Sequence, residues 1–129
     1  VYKRQMAGFP NAAEEAGDEP LNLHRLVVKS PASTFFMRVA GDLSREMGIY
    51  SGDLLVVDRS LEIRSGDVVV AAIEGDFVVR IYVNRGGRRF LTTGARRPKE
   101  IPLDSDATIE IWGAVSHVVH PARKELKLL

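Results

Sequence analysis

Short runs rich in valine and isoleucine dominate the chain beyond residue 20, and turns containing glycine separate them. Apolar runs bounded by Gly-Asp and Gly-Gly pairs are typical of β-strands. The pattern predicts strands at Arg25–Lys29, Thr34–Val39, Asp53–Asp58, Asp67–Ile73, Phe77–Val83, Arg88–Thr92 and Thr108–Val119. Leu43–Gly48 predicts about one helical turn that ends at Gly48, and no stretch has the period of a long amphipathic helix. We therefore expect a mainly β fold.

Two tight turns predict a three-stranded meander in the middle of the chain. Glu74–Asp76 and Asn84–Gly87 each place glycine between two apolar runs, and glycine readily adopts the positive φ that tight turns need. Side chains alternate between the two faces of a strand, so Arg80 shares a face with Val78 and Tyr82. The simplest interpretation of Arg80 is a surface arginine whose stem covers apolar neighbours.

A chain of 129 residues, 45% of them hydrophobic, fits a single domain. Residues 1–20 hold four acids and few large apolar groups, so we expect an extended arm there, then a β domain at 21–123 and a charged tail at 124–129. The absence of cysteine excludes disulfides, thiol catalysis and Cys-ligated metal centres within the chain. No apolar run is long enough to span a membrane, and residues 1–4 have no signal-peptide core, so we expect a cytoplasmic protein. Because residue 1 is valine, we also expect a processed or truncated product.

The charge balance argues against a strongly basic nucleic-acid binder. Lys and Arg total 18 against 17 Asp and Glu, a formal net charge of +1. Basic residues nevertheless concentrate in one stretch, and the candidate patch is Arg85, Arg88, Arg89, Arg96 and Arg97. The patch is interpreted either as a solvated face balanced by acids elsewhere or as a surface for DNA or an acidic protein. Its Arg-Gly-Gly-Arg segment lacks the Lys-Ser/Thr pair of a phosphate-binding loop and predicts a hairpin tip.

The three histidines do not suggest a metal or catalytic site. His117 and His120 are three residues apart, which on a strand directs them to opposite faces, so no shared metal site is expected. His24 has no carboxylate or hydroxyl at a spacing that would make it catalytic. We expect neither a metal nor another cofactor.

Several motifs occur together in an order and spacing that identify a known family. They are Gly8–Pro10, Ser30–Phe36, Ala40–Asp42, Gly48–Asp58, Gly66–Ala72, Gly75–Val79 and Trp112–Val119. From Gly8 to Arg123 the sequence resembles the UmuD- and LexA-like S24 self-cleaving peptidases. The resemblance implies a β fold of the LexA C-terminal and signal-peptidase type, a homodimer, and an N-terminal arm that is cut between a small residue and glycine. Ala7–Gly8 matches that bond.

The resemblance also implies a role in the SOS response to DNA damage. In this family a RecA filament on single-stranded DNA stimulates self-cleavage by a serine nucleophile and a lysine general base. The shortened dimer then joins a UmuC-like polymerase in translesion synthesis, whereas related repressors lose operator binding when they are cleaved.

The two residues that carry cleavage in the family are replaced in this sequence. The family motif Gly-Asp-Ser-Met aligns with Gly41–Ser44, which places Leu43 at the nucleophile position. The family lysine aligns with Arg80, which stays protonated and cannot accept the serine proton. Ser44 would direct its hydroxyl elsewhere and would still lack a base. If the cleft that holds the serine and lysine in the family persists here, we expect Asp42 to pair with the Arg80 guanidinium.

These observations predict a catalytically inactive UmuD-like subunit. It would act as a homodimer, or as a heterodimer with an active relative, and its partners would be a UmuC-like polymerase and RecA. Two alternatives stay open: an active Ser/Lys peptidase that cuts its own arm, and the C-terminal domain of a LexA-like repressor. The nearly neutral charge favours action through protein partners over direct binding of DNA.

Overall fold

An antiparallel sheet of seven strands forms the body of the computed structural model, which describes residues 20–41, 45–123 and 125–127. One short α-helix precedes the sheet, and two 3-10 turns lie at Pro31–Ser33 and Arg45–Met47. The elements are α1 (Leu23–Val27), β1 (Thr34–Arg38), β2 (Leu54–Asp58), β3 (Val68–Ile73), β4 (Asp76–Arg85), β5 (Arg88–Thr92), β6 (Ile101–Pro102) and β7 (Ile109–Val119). The prediction of a mainly β fold is confirmed.

Strand β7 lies inside the sheet and joins its two halves. The strand order is β1-β2-β7-β3-β4-β5-β6, so β7 pairs with β2 along one edge and with β3 along the other. The register skips Ser116 opposite β2 and Trp112 opposite β3, which makes each a β-bulge. Next to Trp112, a Cβ on Gly113 would lie 2.8 Å from Val57 Cγ1. Glycine at that position therefore allows β2 and β7 to approach closely.

The sheet buries apolar side chains on both of its faces. One core cluster contains Val39, Ile49, Leu55, Val57 and Val70, and the other contains Val69, Ala71, Tyr82 and Leu91. Alternation along β3 sends Val69 and Ala71 to one cluster and Val70 to the other. Burial on both faces explains why β2 and β3 are continuous apolar runs instead of alternating polar and apolar residues.

Local sequence patterns predicted most of the strands. The ends of β1 to β5 and of β7 fall within two residues of the predicted ones. Both predicted hairpin turns form, with φ of 85° at Gly75 and 89° at Gly87. The predicted helical turn forms as the 3-10 turn Arg45–Met47 and ends at Gly48, whose φ is 77°. The meander β3-β4-β5 is therefore as predicted.

The predicted strand at Arg25–Lys29 is wrong, because α1 occupies most of that range. The Asn22 side chain accepts a hydrogen bond from Arg25 N at 3.3 Å, which caps the start of the helix. Val28 N donates to His24 O at 2.9 Å at its other end. The two-residue strand β6 was not predicted, since Ile101–Pro102 is too short to carry a periodic signal.

The chain segments at either end of the β domain are only partly described. The predicted arm up to residue 19, with the Ala7–Gly8 bond, lies outside the described residues. In the predicted tail, residues 125–127 are described and exposed, and Glu125 forms an exposed ion pair with Arg123. No helix in the described part of the chain is long and apolar enough to cross a membrane.

A buried carboxylate at the end of β2 organises the loop that follows. Asp58 accepts hydrogen bonds from Ser60 Oγ at 2.6 Å, from Ser60 N at 2.9 Å and from Ser33 Oγ at 3.2 Å. Hydrogen bonds lower the pKa of Asp58, with the one from the Ser60 side chain first and those from the Ser60 backbone and from Ser33 after it. Desolvation by burial raises the pKa and so opposes them. The ionised carboxylate therefore ties the 3-10 turn before β1 to the turn after β2.

We expect Asp58→Ala to lower the free energy of unfolding at pH 7 by about 1–3 kcal/mol, because it leaves hydrogen-bond donors without their acceptor. A lowered pKa contributes stability that is complete above the ordinary Asp value of 3.8 and is lost as the pH falls through the folded-state value. In urea unfolding, the difference between wild type and variant should therefore shrink between pH 7 and pH 3. Asp76→Ala, at an exposed aspartate, is the control. An equal difference at both pH values would contradict the role of the ionised form.

Candidate functional site

Arg80 lies on β4 with its side chain half-buried. It faces Val69 of β3 in the register of the sheet, on the face that also carries Val78 and Tyr82. Its Nη1 donates a hydrogen bond to Val79 O at 2.8 Å. Its Nε is buried and has no hydrogen-bond partner among the described residues. Arg80 is therefore half-buried, with its Nε enclosed by the protein.

Arg80 borders a small, mainly apolar cavity of about 190 Å³. Strands β1, β2, β3 and β4 and the residues after β1 supply its walls, which include Met37, Val39, Ala40, Leu55, Val70 and Phe77. Ala40 is followed closely by Asp42, Leu43 and Ser44, and those three residues lie outside the described part of the chain. The cavity thus brings Arg80 together with the backbone that leads to the predicted nucleophile position.

The side chains in the wall of this cavity decide which acid–base chemistry it can support. Burial lowers the pKa of Arg80, but a guanidinium begins so far above neutrality that it stays charged. The other described residues of the wall are apolar apart from Arg38, a second guanidinium. Among the described residues of this cavity, none could take a proton from a hydroxyl at neutral pH.

The predicted arginine patch is exposed along the β4–β5 hairpin and the segment after β5. Arg85 and Arg88 face each other at the hairpin tip, and the Arg85 guanidinium lies 5.2 Å from the centroid of the Phe90 ring. Arg88 and Arg89 line a groove of about 280 Å³ whose opposite wall includes Glu100 and Asp104. Arg96 and Arg97 are exposed beyond β5. Acids therefore lie beside part of the patch, as a charge-balanced face requires.

The three histidines lie apart from one another. His24 is exposed on α1, with its ring centroid 6.2 Å from that of Phe36. His117 is exposed on β7, and its Nδ1 lies 3.0 Å from Ser116 Oγ. His120 follows β7 and contacts Asp53. Within residues 20–41, 45–123 and 125–127, no group of three or more His, Asp or Glu could hold a metal ion.

The contact between Asp53 and His120 was not predicted from the sequence. Asp53 is fully buried, and its Oδ1 lies 2.5 Å from His120 Nδ1. Its Oδ2 accepts a hydrogen bond from Tyr50 N at 2.9 Å. The two residues are 67 positions apart and meet only because Leu54 of β2 pairs with Val119 of β7. The only signal in the sequence was an aspartate directly before a buried strand.

Three aromatic side chains form an exposed surface on one face of the sheet, which we call the aromatic surface. The ring centroid of Trp112 lies 4.9 Å from that of Phe35 and 6.0 Å from that of Phe77. Phe35 is 41% exposed and Phe77 is 57% exposed. The Arg59 guanidinium lies 4.7 Å from the centroid of the Trp112 ring. Apolar surface gathered in this way commonly marks a site of association.

Comparison with known proteins places the chain in a family. The family model described as Peptidase S24-like matches residues 1–116. Protein ImpA of Salmonella typhimurium is 37% identical over 121 residues, which cover 94% of this chain and 82% of ImpA. Protein MucA of Escherichia coli is 36% identical over 121 residues, which cover 92% of this chain and 83% of MucA. The LexA repressor of Shewanella piezotolerans is 32% identical over 114 residues, which cover 88% of this chain and 55% of the repressor. The chain belongs to the S24-like peptidase family, as its motifs predicted.

We expect Arg80→Met to raise the free energy of unfolding by about 1 kcal/mol, since it replaces a partly desolvated charge with an apolar side chain that still covers the neighbours of the arginine stem. Thermal and urea unfolding measure the change. Arg89→Met, at an exposed arginine of β5, is the matched control and should have little effect. A lower stability of Arg80→Met would mean that the guanidinium supports the fold.

Proposed function

We propose that this chain is a UmuD-like subunit that has kept the S24 fold and lost self-cleavage. It works in the response to DNA damage through protein partners. These are a second copy of itself or an active relative, a UmuC-like polymerase, and RecA on single-stranded DNA. The arm at residues 1–20 and the tail at 124–129 flank the β domain as separate segments.

The observation that carries the proposal is an arginine, Arg80, among the residues that line the cavity. The family resemblance assigns this position to the lysine that acts as general base, and a neutral amine is needed for that role. Arg80 has the reach and the charge of a lysine, but it cannot be neutral at physiological pH. Leu43 at the nucleophile position has no atom that could attack a carbonyl. Either replacement alone would prevent cleavage of Ala7–Gly8.

The identities of the matches favour a UmuD-like protein over a LexA-like repressor. The chain is 37% identical to ImpA and 36% identical to MucA, but 32% identical to the LexA repressor. The formal net charge of +1 further supports action through proteins instead of direct binding to DNA.

The aromatic surface supports a dimer. Phe35, Phe77 and Trp112 expose rings that a second copy would cover, and burial of aromatic rings dominates many interfaces. An Arg beside them adds a residue type that interfaces favour, since Arg59 Nε donates to Trp112 O at 2.8 Å. A two-fold axis through this face would place the same surface of each subunit against the other.

Incubation with RecA, single-stranded DNA and nucleotide tests the loss of cleavage. We expect no product that begins at Gly8 by mass spectrometry, either under these conditions or at alkaline pH. The double variant Leu43→Ser, Arg80→Lys should release that product, faster as the pH rises, because deprotonation makes the lysine a base. The two single variants are the controls and should release no product that begins at Gly8.

One result would count against this proposal, and another against its explanation by two residues. Cleavage of the unmodified chain at Ala7–Gly8 would identify it as an active peptidase with a rearranged site. A double variant that folds and still does not cleave would contradict the view that Leu43 and Arg80 are the only obstacles.

Light scattering tests the dimer and its surface. We expect the unmodified chain to have the mass of a dimer, and Phe77→Glu to reduce the mass to that of a monomer by placing a charge in the interface. Phe36→Glu is the matched control, because Phe36 is 48% exposed and alternation along β1 directs it away from Phe35. A monomeric unmodified chain, or a Phe36→Glu variant that dissociates while Phe77→Glu does not, would overturn this assignment.

A further inference from the structure

A second, larger pocket lies at one end of the sheet and shares Arg38 with the cavity that Arg80 lines. It has a volume of about 710 Å³. The register explains where it is: Arg38 at the end of β1 faces Leu54 at the start of β2, and Leu54 faces Val119 at the end of β7. The residues just outside this row, Asp53 and His120, therefore converge at the same edge of the sheet. We call this space the sheet-end pocket.

The floor of the sheet-end pocket is a buried carboxylate whose two oxygens are both occupied. Asp53 Oδ2 accepts from Tyr50 N, and Asp53 Oδ1 contacts His120 Nδ1. An ionised carboxylate only accepts hydrogen bonds, so the proton of this contact lies on Nδ1. The orientation of the ring is further supported by Tyr50, whose ring centroid is 5.3 Å away. His120 is thus held by Nδ1, and Nε2 is left as the ring atom available to a ligand.

The described charged groups around the pocket are mostly positive. Arg38, Arg45 and Lys127 line it, and Asp53 is the single acid among its described residues. Arg45 is positioned over Tyr50, with its guanidinium 5.9 Å from the ring centroid. Because the Asp53 carboxylate already binds His120 and the Tyr50 amide, its charge is offset at the floor. An incoming group would therefore meet a positive rim.

The remaining wall is apolar. Pro121, Ala122 and Leu126 line the side of the pocket beyond His120. A bare inorganic ion would leave this wall without contacts, whereas a small organic molecule that carries an anion would cover it. The volume lies in the range of pockets for small molecules, roughly 300–1,000 Å³. The pocket thus combines a site for an anion with room for an organic group.

We propose that the sheet-end pocket binds a small phosphate monoester, with the phosphate held by Arg45 and Lys127 beside the ring of His120. Phosphate suits these two side chains, because arginine and lysine are the side chains that most often bind it. The organic part of the ligand lies against Pro121 and Leu126. Neither Arg45 nor Lys127 lines the cavity that holds Arg80, and phosphate binding needs no cleavage, so the test does not depend on the proposed function.

Titration of the full chain at about 150 mM salt tests the proposal, with amide chemical shifts and calorimetry as the readouts. The probes are adenosine 5′-monophosphate, inorganic phosphate and adenosine. We expect the monophosphate to bind with a Kd of about 1 mM or tighter, inorganic phosphate to bind more weakly, and adenosine not to bind. The amides of residues 50–53 should shift. Tighter binding of inorganic phosphate than of the monophosphate would mean that the apolar wall plays no part and would overturn the monoester assignment.

Variants assign the binding to this pocket. Arg45→Gln and Lys127→Gln should each weaken binding of the monophosphate at least about fivefold, since each removes one charge-assisted hydrogen bond. Arg88→Gln, at the exposed tip of the β4–β5 hairpin, is the matched control and should leave the affinity unchanged. No binding of the monophosphate, binding of adenosine, or an equal loss in Arg88→Gln would overturn the proposal.

Discussion

The pairing of β7 with both β2 and β3 is the interaction on which the rest of the structure depends. On one side of β7 lie β1 and β2, and on the other lies the meander that begins with β3. Within the sheet, these two halves meet only through β7. The cavity beside Arg80 needs walls from β1 and β2 as well as from β3 and β4, and the sheet-end pocket needs the ends of β2 and β7. Both sites therefore follow from one central strand, and Gly113 allows its close approach to β2.

Two charged side chains within the fold, Asp53 and Arg80, differ in how far their hydrogen bonds are satisfied. Asp53 is fully buried, and both of its carboxylate oxygens have partners. Arg80 is half-buried, and its buried Nε has no partner among the described residues. A satisfied buried group adds to the stability of a fold, whereas an unsatisfied one is costly and calls for another explanation. Arg80 also lines the small cavity that β1, β2, β3 and β4 enclose.

Membership of a peptidase family does not by itself assign peptidase activity to this chain. The fold depends on apolar burial and strand pairing, which leucine and arginine can satisfy as well as serine and lysine. Cleavage depends on a nucleophile and a base, and leucine and arginine cannot perform those two roles. Loss of two side chains can therefore leave the sheet, the aromatic surface and the sheet-end pocket unchanged. If cleavage is lost, as we propose, binding is the function that the remaining groups support.

The sequence by itself determined the local features of this protein. Alternation and glycine positions located β1 to β5 and β7 and both hairpins, because these depend on neighbouring residues. The family followed from motifs that are read in order along the chain. The one strand predicted wrongly, at Arg25–Lys29, became α1 because the Asn22 cap outweighs a weak strand pattern that has no partner strand.

Only the tertiary structure decided which distant residues meet. The contact of Asp53 with His120, the rings of Phe35 and Phe77 against Trp112, and the acids beside Arg88 all join segments that no local period relates. Each depends on strand register, which is set by burial on both faces and by the two bulges of β7. The physical reason is that alternation along a strand sets the face to which each side chain points. The register with the paired strand sets which side chains it then contacts.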